Sequence, residues 1–214
     1  MRAAAGPVPP LPAEEFARLL KVAARASSIP VSPATLAGLA GYLAELDRWR
    51  GKVNLAGRLS AEELVVHALE SIAPVSLIPQ DARVVDIGSG GGFPAIPIAA
   101  ARPDVSMTMV EPRGKKAAFL RHAARTLGLG KARVLEIGIE DLSEGLFSVA
   151  TTRALGDLAR RLGPASFLEP GGLLLAWTTE PERLGTSLSR SFRLEQVLGL
   201  PGAKRRTVAA FRRI

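Results

Sequence analysis

The spacing of apolar residues changes character near residue 80. Before it they recur every three to four positions, and after it short apolar runs alternate with helical stretches. In the first part, Phe16, Leu19, Leu20 and Ala23 share one face of a helix predicted over 12–26. Ser32-Pro33 supplies an N-cap and a proline at the first helical position. Leu36, Leu39, Leu43 and Leu46 then line a helix ending near Trp49, with Gly51 as its stop. Residues 52–57, KVNLAG, read as a loop. Ser60 and Glu63 form a capping box for a third helix, running through His67, Leu69 and Ile72 to about Leu77. Pro79-Gln80-Asp81 breaks the chain before the first strand.

The second part opens on RVVDIGSGGGFPAIP, residues 83–97: an apolar β-branched run closed by Asp86, then Gly88, Gly90, Gly91 and Gly92. This predicts a buried strand, a tight glycine turn and a helix beginning under it. Further strands are predicted at 105–110, 133–139, 147–152 and 173–177. Helices are predicted at 114–127, 157–167 and 181–189, the middle one ended by Pro170-Gly171-Gly172. Runs 192–200 and 207–211, separated by Pro201-Gly202, read as a closing antiparallel hairpin. The alternation predicts an α/β, Rossmann-like parallel sheet with that hairpin at its end, over 81–214. Residues 1–80 are expected as a small helical extension, with 1–11 disordered.

A side chain in the glycine turn would block the approach of backbone N–H groups to a ligand. Glu111 ends the second predicted strand, 21 residues after Gly90, where its carboxylate can accept bonds from both hydroxyls of a ribose. Two cofactors, NAD and S-adenosylmethionine, meet both conditions. The chain shows no hydride-transfer acid and no substrate domain, and its terminal hairpin is the pattern of class I methyltransferases.

Composition narrows the partners. There is no cysteine and there are only two histidines, His67 and His122, so disulfides and thiolate metal sites are excluded and a histidine metal site is not expected. No apolar run reaches the roughly 20 residues that span a bilayer, so a cytoplasmic protein is expected. The net charge is +8. Seven cations (Arg113, Lys115, Lys116, Arg121, Arg125, Lys131, Arg133) and five more (Lys204, Arg205, Arg206, Arg212, Arg213) fall in two runs without a carboxylate. Such runs are either a solvated basic surface or a binding surface for nucleic-acid phosphates.

DIGSGGGFPAIPIA, EPRGKKAAFLRHAARTLGL, TTRA and EPGG-LLLAW, taken in order, resemble the small-subunit ribosomal RNA guanine-N7 methyltransferases, the RsmG or glucose-inhibited division protein B family. KVNLAG and VVHALES upstream and KRRTVAAF at the end fit the same family. The resemblance implies S-adenosylmethionine as donor and N7 of a guanosine in 16S rRNA as acceptor. It implies Asp86, Gly88, Gly90 and Phe93 in the first cofactor turn, Glu111, Pro112 and Arg113 at the ribose, Ile139 and Glu140 beside the adenine, and Arg153 near the transfer site. Asn54 and His67 would orient the base or a nearby phosphate, although Asn54 also reads as a loop residue and His67 as a satisfied helix histidine. Arg113, Lys115, Lys116, Arg121, Lys204, Arg205 and Arg206 would bind rRNA phosphates. A monomer is expected, with no metal. The alternatives are a methyltransferase of another nucleic acid or small molecule, and an RNA-binding descendant without turnover. The chain departs from the family pattern at Trp177-Thr178, where Lys-Gly is usual. Further departures are Thr152 for serine, Glu70 for aspartate, Val66 for a cation and Ala56 for threonine.

Overall fold

The computed structural model describes residues 9–214 apart from 56, 58, 144, 154, 155, 157, 163, 164 and 204. Helix α1 (Ala13–Ala26) buries Phe16, Leu20 and Ala24, one residue per turn, with Glu14 and Glu15 in its first turn. Helix α2 (Pro33–Arg50) is capped by Ser32, whose side chain accepts from the Thr35 N–H at 3.1 Å. Its buried set is wider than the leucine stripe and includes Tyr42, Ala44 and Glu45. Gly51 caps it at φ −66° and not in the left-handed conformation expected of a glycine stop. Helix α3 (Ala61–Ile72) carries the full capping box, with Glu63 reaching back to the Ser60 N–H at 2.6 Å. It stops five residues before the expected Leu77, because Pro74 has no N–H to donate, and Val75–Leu77 forms a short 3₁₀ turn.

The sheet has seven strands in the order β3-β2-β1-β4-β5-β7-β6. They are β1 (Arg83–Ile87), β2 (Ser106–Val110), β3 (Ala132–Leu135), β4 (Phe147–Arg153), β5 (Leu168–Thr178), β6 (Phe192–Gly199) and β7 (Thr207–Arg213). The first five are parallel, and β7 and β6 close the edge antiparallel, as the hairpin reading requires. Between them lie α4 (Ala95–Ala101), α5 (Gly114–Thr126), α6 (Leu158–Leu162) and α7 (Pro181–Leu188). Side chains alternate across the sheet: Val84, Val149 and Leu175 join α1–α5 in one core, while Val85, Ala150 and Leu174 join α6 and α7 in another. The three N-terminal helices thus share a continuous core with one face of the sheet, and α2 lies so close to α4 that a Cβ on Gly38 would stand 3.2 Å from Ala100.

Three expected elements end elsewhere. Strand β3 stops at Leu135, opposite the last residue of its partner β2, so Ile139 has no ladder to join and sits in a 3₁₀ turn, Ile139–Asp141. The helix expected over 157–167 is found as Leu158–Leu162, with 157, 163 and 164 outside the described residues. Ala165 lies at φ 49°, and the Phe167 carbonyl accepts from the Phe147 N–H at 2.8 Å, which commits that segment to the sheet. Pro170-Gly171-Gly172, expected as a helix stop, instead lies inside β5, where the register slips between Phe147↔Leu168 and Val149↔Leu173. Among the described residues, no helix is long and apolar enough to cross a membrane.

Candidate active site

The sheet order places β1 between β2 and β4, so the connections from β1 leave in opposite directions and a crevice opens at its carboxyl end. There the N–H groups of Gly88 and Ser89 both donate to the Val110 carbonyl, at 2.9 and 3.1 Å. Gly88, Gly90 and Gly92 all have positive φ. Glu111, 5% exposed, accepts from the Gly90 N–H at 2.9 Å through Oε2 and from the Arg113 N–H at 3.0 Å through Oε1. Both backbone donors hold that carboxylate at the lip of the turn. Gly91 has a different need for its missing side chain: a Cβ there would stand 2.7 Å from the Leu55 carbonyl oxygen. The loop at 52–55 therefore packs directly on the turn and brings exposed Asn54 beside it. Behind the turn, the Tyr42 hydroxyl donates to the Gly91 carbonyl at 2.7 Å, and its ring meets Phe93 edge-on at 5.2 Å.

Asp86 lies beneath this turn, fully buried. Its Oδ1 accepts from the Thr151 hydroxyl at 2.6 Å, while Oδ2 has no partner among the described residues. Burial pushes the carboxyl up to about 7; the Thr151 and Ser89 hydroxyls oppose the shift, and the Glu111 charge adds to it. Burial likewise drives the Tyr42 phenol well above its ordinary value, so it stays a donor.

Beside the turn a cleft of about 570 Å³ is lined by His67, Thr152, Arg153, Trp177, Thr178 and Arg206, among others. Arg153, at the end of β4, donates to Glu70 Oε2 at 2.9 Å and to His67 Nδ1, and its guanidinium carbon lies 6.0 Å from the Phe93 ring centre. The same His67 Nδ1 lies 3.5 Å from Glu70 Oε2. Glu70 also accepts from Arg206, and its backbone carbonyl takes the Trp177 indole N–H at 3.1 Å. Thr152, the residue in place of serine, keeps its hydroxyl and donates to the Ile87 carbonyl at 3.3 Å.

The structure therefore brings Asp86, Gly88, Gly90, Phe93, Glu111 and Arg113 to one turn, with His67 and Arg153 at its flank. Pro112 and Arg113 are exposed next to Glu111. Ile139 is 8% exposed and packs with the core on the α6–α7 face, while Glu140 is exposed beside it. The basic runs are opposed by carboxylates that lie outside them: Arg121 pairs with Glu136 at 2.9 Å, Arg212 with Glu195 at 2.9 Å and Arg206 with Glu70 at 2.8 Å. Lys115 and Arg205 are exposed, Lys116 is half-buried with its Nζ 3.9 Å from where a Gly90 Cβ would stand, and Lys204 lies outside the described residues. Val66 faces a separate apolar groove with Ala23, Ile29 and Leu69, so its lost cation is not a loss to the cleft. Ala56 is outside the described residues. Sequence reading missed Tyr42 and Thr151. The one available signal was that Tyr42 is the chain's single tyrosine, set among the leucines of a buried helix.

This architecture is that of class I S-adenosylmethionine-dependent methyltransferases. A methyltransferase of that class from Aquifex aeolicus superposes with a TM-score of 0.58 over 68% of this chain and 92% of its own, at 14% identity. The M. jannaschii TYW2 structure in complex with AdoMet gives 0.55 over 70% and 77%, at 17% identity. Within that class, residues 35–183 match the GidB family, rRNA small subunit methyltransferase G, and the chain belongs to that family. The ribosomal RNA small subunit methyltransferase G of Stenotrophomonas maltophilia is 43% identical over 171 residues, 78% of each chain. That of Halorhodospira halophila is 38% identical over 150 residues, 69% of this chain and 71% of its own. The protein is an S-adenosylmethionine-dependent methyltransferase.

Proposed function

We propose that the protein methylates N7 of a guanosine in the 16S rRNA of the small ribosomal subunit, acting in the cytoplasm as a monomer without a metal ion. Bound S-adenosylmethionine supplies an electrophilic methyl group on a sulfonium. The turn fits that cofactor on its own geometry: a Cβ on Gly90 would meet nothing nearer than 3.7 Å among the described residues, the Glu111 carboxylate stands at the lip, and the buried Asp86 Oδ2 has no partner among the described residues. Glu111 would accept the ribose hydroxyls, Gly88, Gly90 and Phe93 would hold the methionine part with Asp86 beneath, and Ile139 and Glu140 would flank the adenine.

One observation carries the acceptor assignment. The cleft next to the turn is rich in donors, and among the described residues its lining includes no Asp or Glu. His67 Nδ1 is held between Arg153 and Glu70. Among the described residues no carboxylate lines the cleft to remove a proton, which suits a nucleophile that arrives with its lone pair available. Guanine N7 does: it carries an in-plane lone pair and no hydrogen. The residues then need only align the base and exclude water. Asn54 and His67 would orient it, and Arg113, Lys115, Lys116, Arg121, Lys204, Arg205 and Arg206 would hold backbone phosphates.

The test uses small subunits from a strain that lacks this activity, incubated with the protein and tritiated S-adenosylmethionine. Label at N7 of one guanosine is expected. Label on another base, or none, overturns the acceptor assignment and leaves the fold untouched.

A further inference from the structure

Three charged side chains from three distant elements meet at one lip of the cleft: Glu70 of α3, Arg153 at the end of β4, and Arg206 just before β7. The Glu70 side chain is 2% exposed. Burying a carboxylate so completely is unfavourable unless it is paired and hydrogen-bonded. Although burial pulls its pKa upward, bonds from His67, Arg153 and Arg206 prevail and hold the carboxyl below its ordinary value. It is therefore an anion that divides its two oxygens between two arginines: Oε2 takes Arg153 at 2.9 Å, and Oε1 takes Nε and Nη2 of Arg206, both at 2.8 Å.

The two arginines differ in what they can still do. Arg153 is mostly enclosed, 13% exposed, between α3 and the Phe93 ring. Arg206 is 44% exposed on the cleft wall. Only one edge of its guanidinium is used by Glu70, and the Nη1 edge has no partner among the described residues. A planar fork with one edge anchored and the other open is suited to an oxyanion, and two guanidiniums against one carboxylate leave the lip positive. An RNA strand entering the cleft presents such an oxyanion at every phosphodiester.

We propose that Glu70 is a positioning residue for the acceptor: it anchors Arg206 so that its open edge meets a backbone phosphate of the RNA at the cleft, and fixes Arg153 behind it. This rests on the reading of RNA as the acceptor. Glu70 touches neither substrate and acts through the arginines it holds.

Wild type, Glu70→Gln, Glu70→Asp, Arg206→Gln and the double variant Glu70→Gln/Arg206→Gln are compared on the same small subunits. For Arg206→Gln, KM for subunits rises about tenfold with kcat within about threefold, and the log–log salt dependence of subunit binding flattens by about one unit. Glu70→Gln gives the same flattening with S-adenosylmethionine affinity, by calorimetry, within about twofold of wild type. Glu70→Asp recovers most of the loss, and the double variant is no worse than Glu70→Gln. An unchanged salt slope in Arg206→Gln overturns the proposal. So do additive losses in the double variant, or a Glu70→Gln protein that loses cofactor and subunit affinity in parallel with no rescue by aspartate. Failure of wild type to label subunits would instead overturn the acceptor assignment, and the salt dependence of binding would still decide the role of Glu70.

Discussion

The donor and acceptor sides of the site are built in opposite ways. On the donor side, Glu111 is bonded to Gly90, 21 residues away, and to Arg113, two residues away. On the acceptor side, Glu70 reaches Arg153 at 83 residues' separation, Trp177 at 107 and Arg206 at 136. The donor carboxylate is therefore held by a local device of one strand-turn-helix and the next strand end, while the turn beneath it also leans on Tyr42 and Thr151. The acceptor side exists only when α3, both parallel strand ends and the terminal hairpin are all in place. Cofactor binding should thus tolerate damage to global packing better than acceptor chemistry does, and substitutions on the two sides should separate cleanly in what they disturb.

The largest effect is expected from Arg153→Ala. It leaves Glu70 buried with one of its two arginines removed, and breaking such a pair costs about 3–5 kcal/mol. Because Arg206 still holds Oε1, the lower end, about 3 kcal/mol, is expected from urea unfolding midpoints, together with loss of methyl transfer. An unchanged midpoint would mean that the cluster contributes no cohesion and that the contrast between the two sides fails.

The second effect is one of pH, on the donor side, and leaves methyl transfer chemistry itself in place. The Asp86 carboxyl titrates near 7 in the fold against an ordinary 3.8. An acid whose pKa is raised by folding keeps its proton longer in the native state. Its contribution is therefore complete below about pH 4 and is lost as pH rises through about 7. The loss is on the order of 4 kcal/mol for the cofactor-free protein. Asp86→Asn, which keeps the shape without the charge, should flatten that part of the stability curve between about pH 4 and 7. If the variant and wild type ran parallel, Asp86 would not be the titrating group.

How much of this was readable beforehand follows the same division. The glycine turn, Glu111 and the closing hairpin were legible because each is written within a few tens of residues in a pattern the backbone imposes: β-branched run, positive-φ glycines, acidic strand end. Asn54 was legible only as a motif; its place beside the turn depends on the Leu55 carbonyl packing against Gly91. Tyr42 sits in a helix whose leucine stripe suggested core, and nothing local shows that its hydroxyl finds the Gly91 carbonyl 49 residues on. The basic runs looked unopposed because Glu70, Glu136 and Glu195 arrive from elsewhere in the fold. Where β3 would end was hidden for a similar reason: its length is set by β2, not by its own apolar residues.

The smallest of the three effects is also the sharpest test of locality. In Glu111→Gln the amide oxygen can still accept one of the two backbone N–H groups while the amide nitrogen faces the other, so unfolding should shift by about 1–2 kcal/mol. What the variant loses is the charge that strengthens bonds from ribose hydroxyls. Hydrogen bonds to charged groups contribute about 1.5–3 kcal/mol, so calorimetry should record a tenfold to hundredfold weaker S-adenosylmethionine complex. The affinity for small subunits in the absence of cofactor should stay unchanged, because Glu111 lies outside the lining of the acceptor cleft. A Glu111→Gln protein that bound cofactor normally would remove the ribose role. One that lost subunit affinity as well would show that the two sides are coupled through the turn, with Phe93 and its contacts to His67 and Arg153 as the connection to examine.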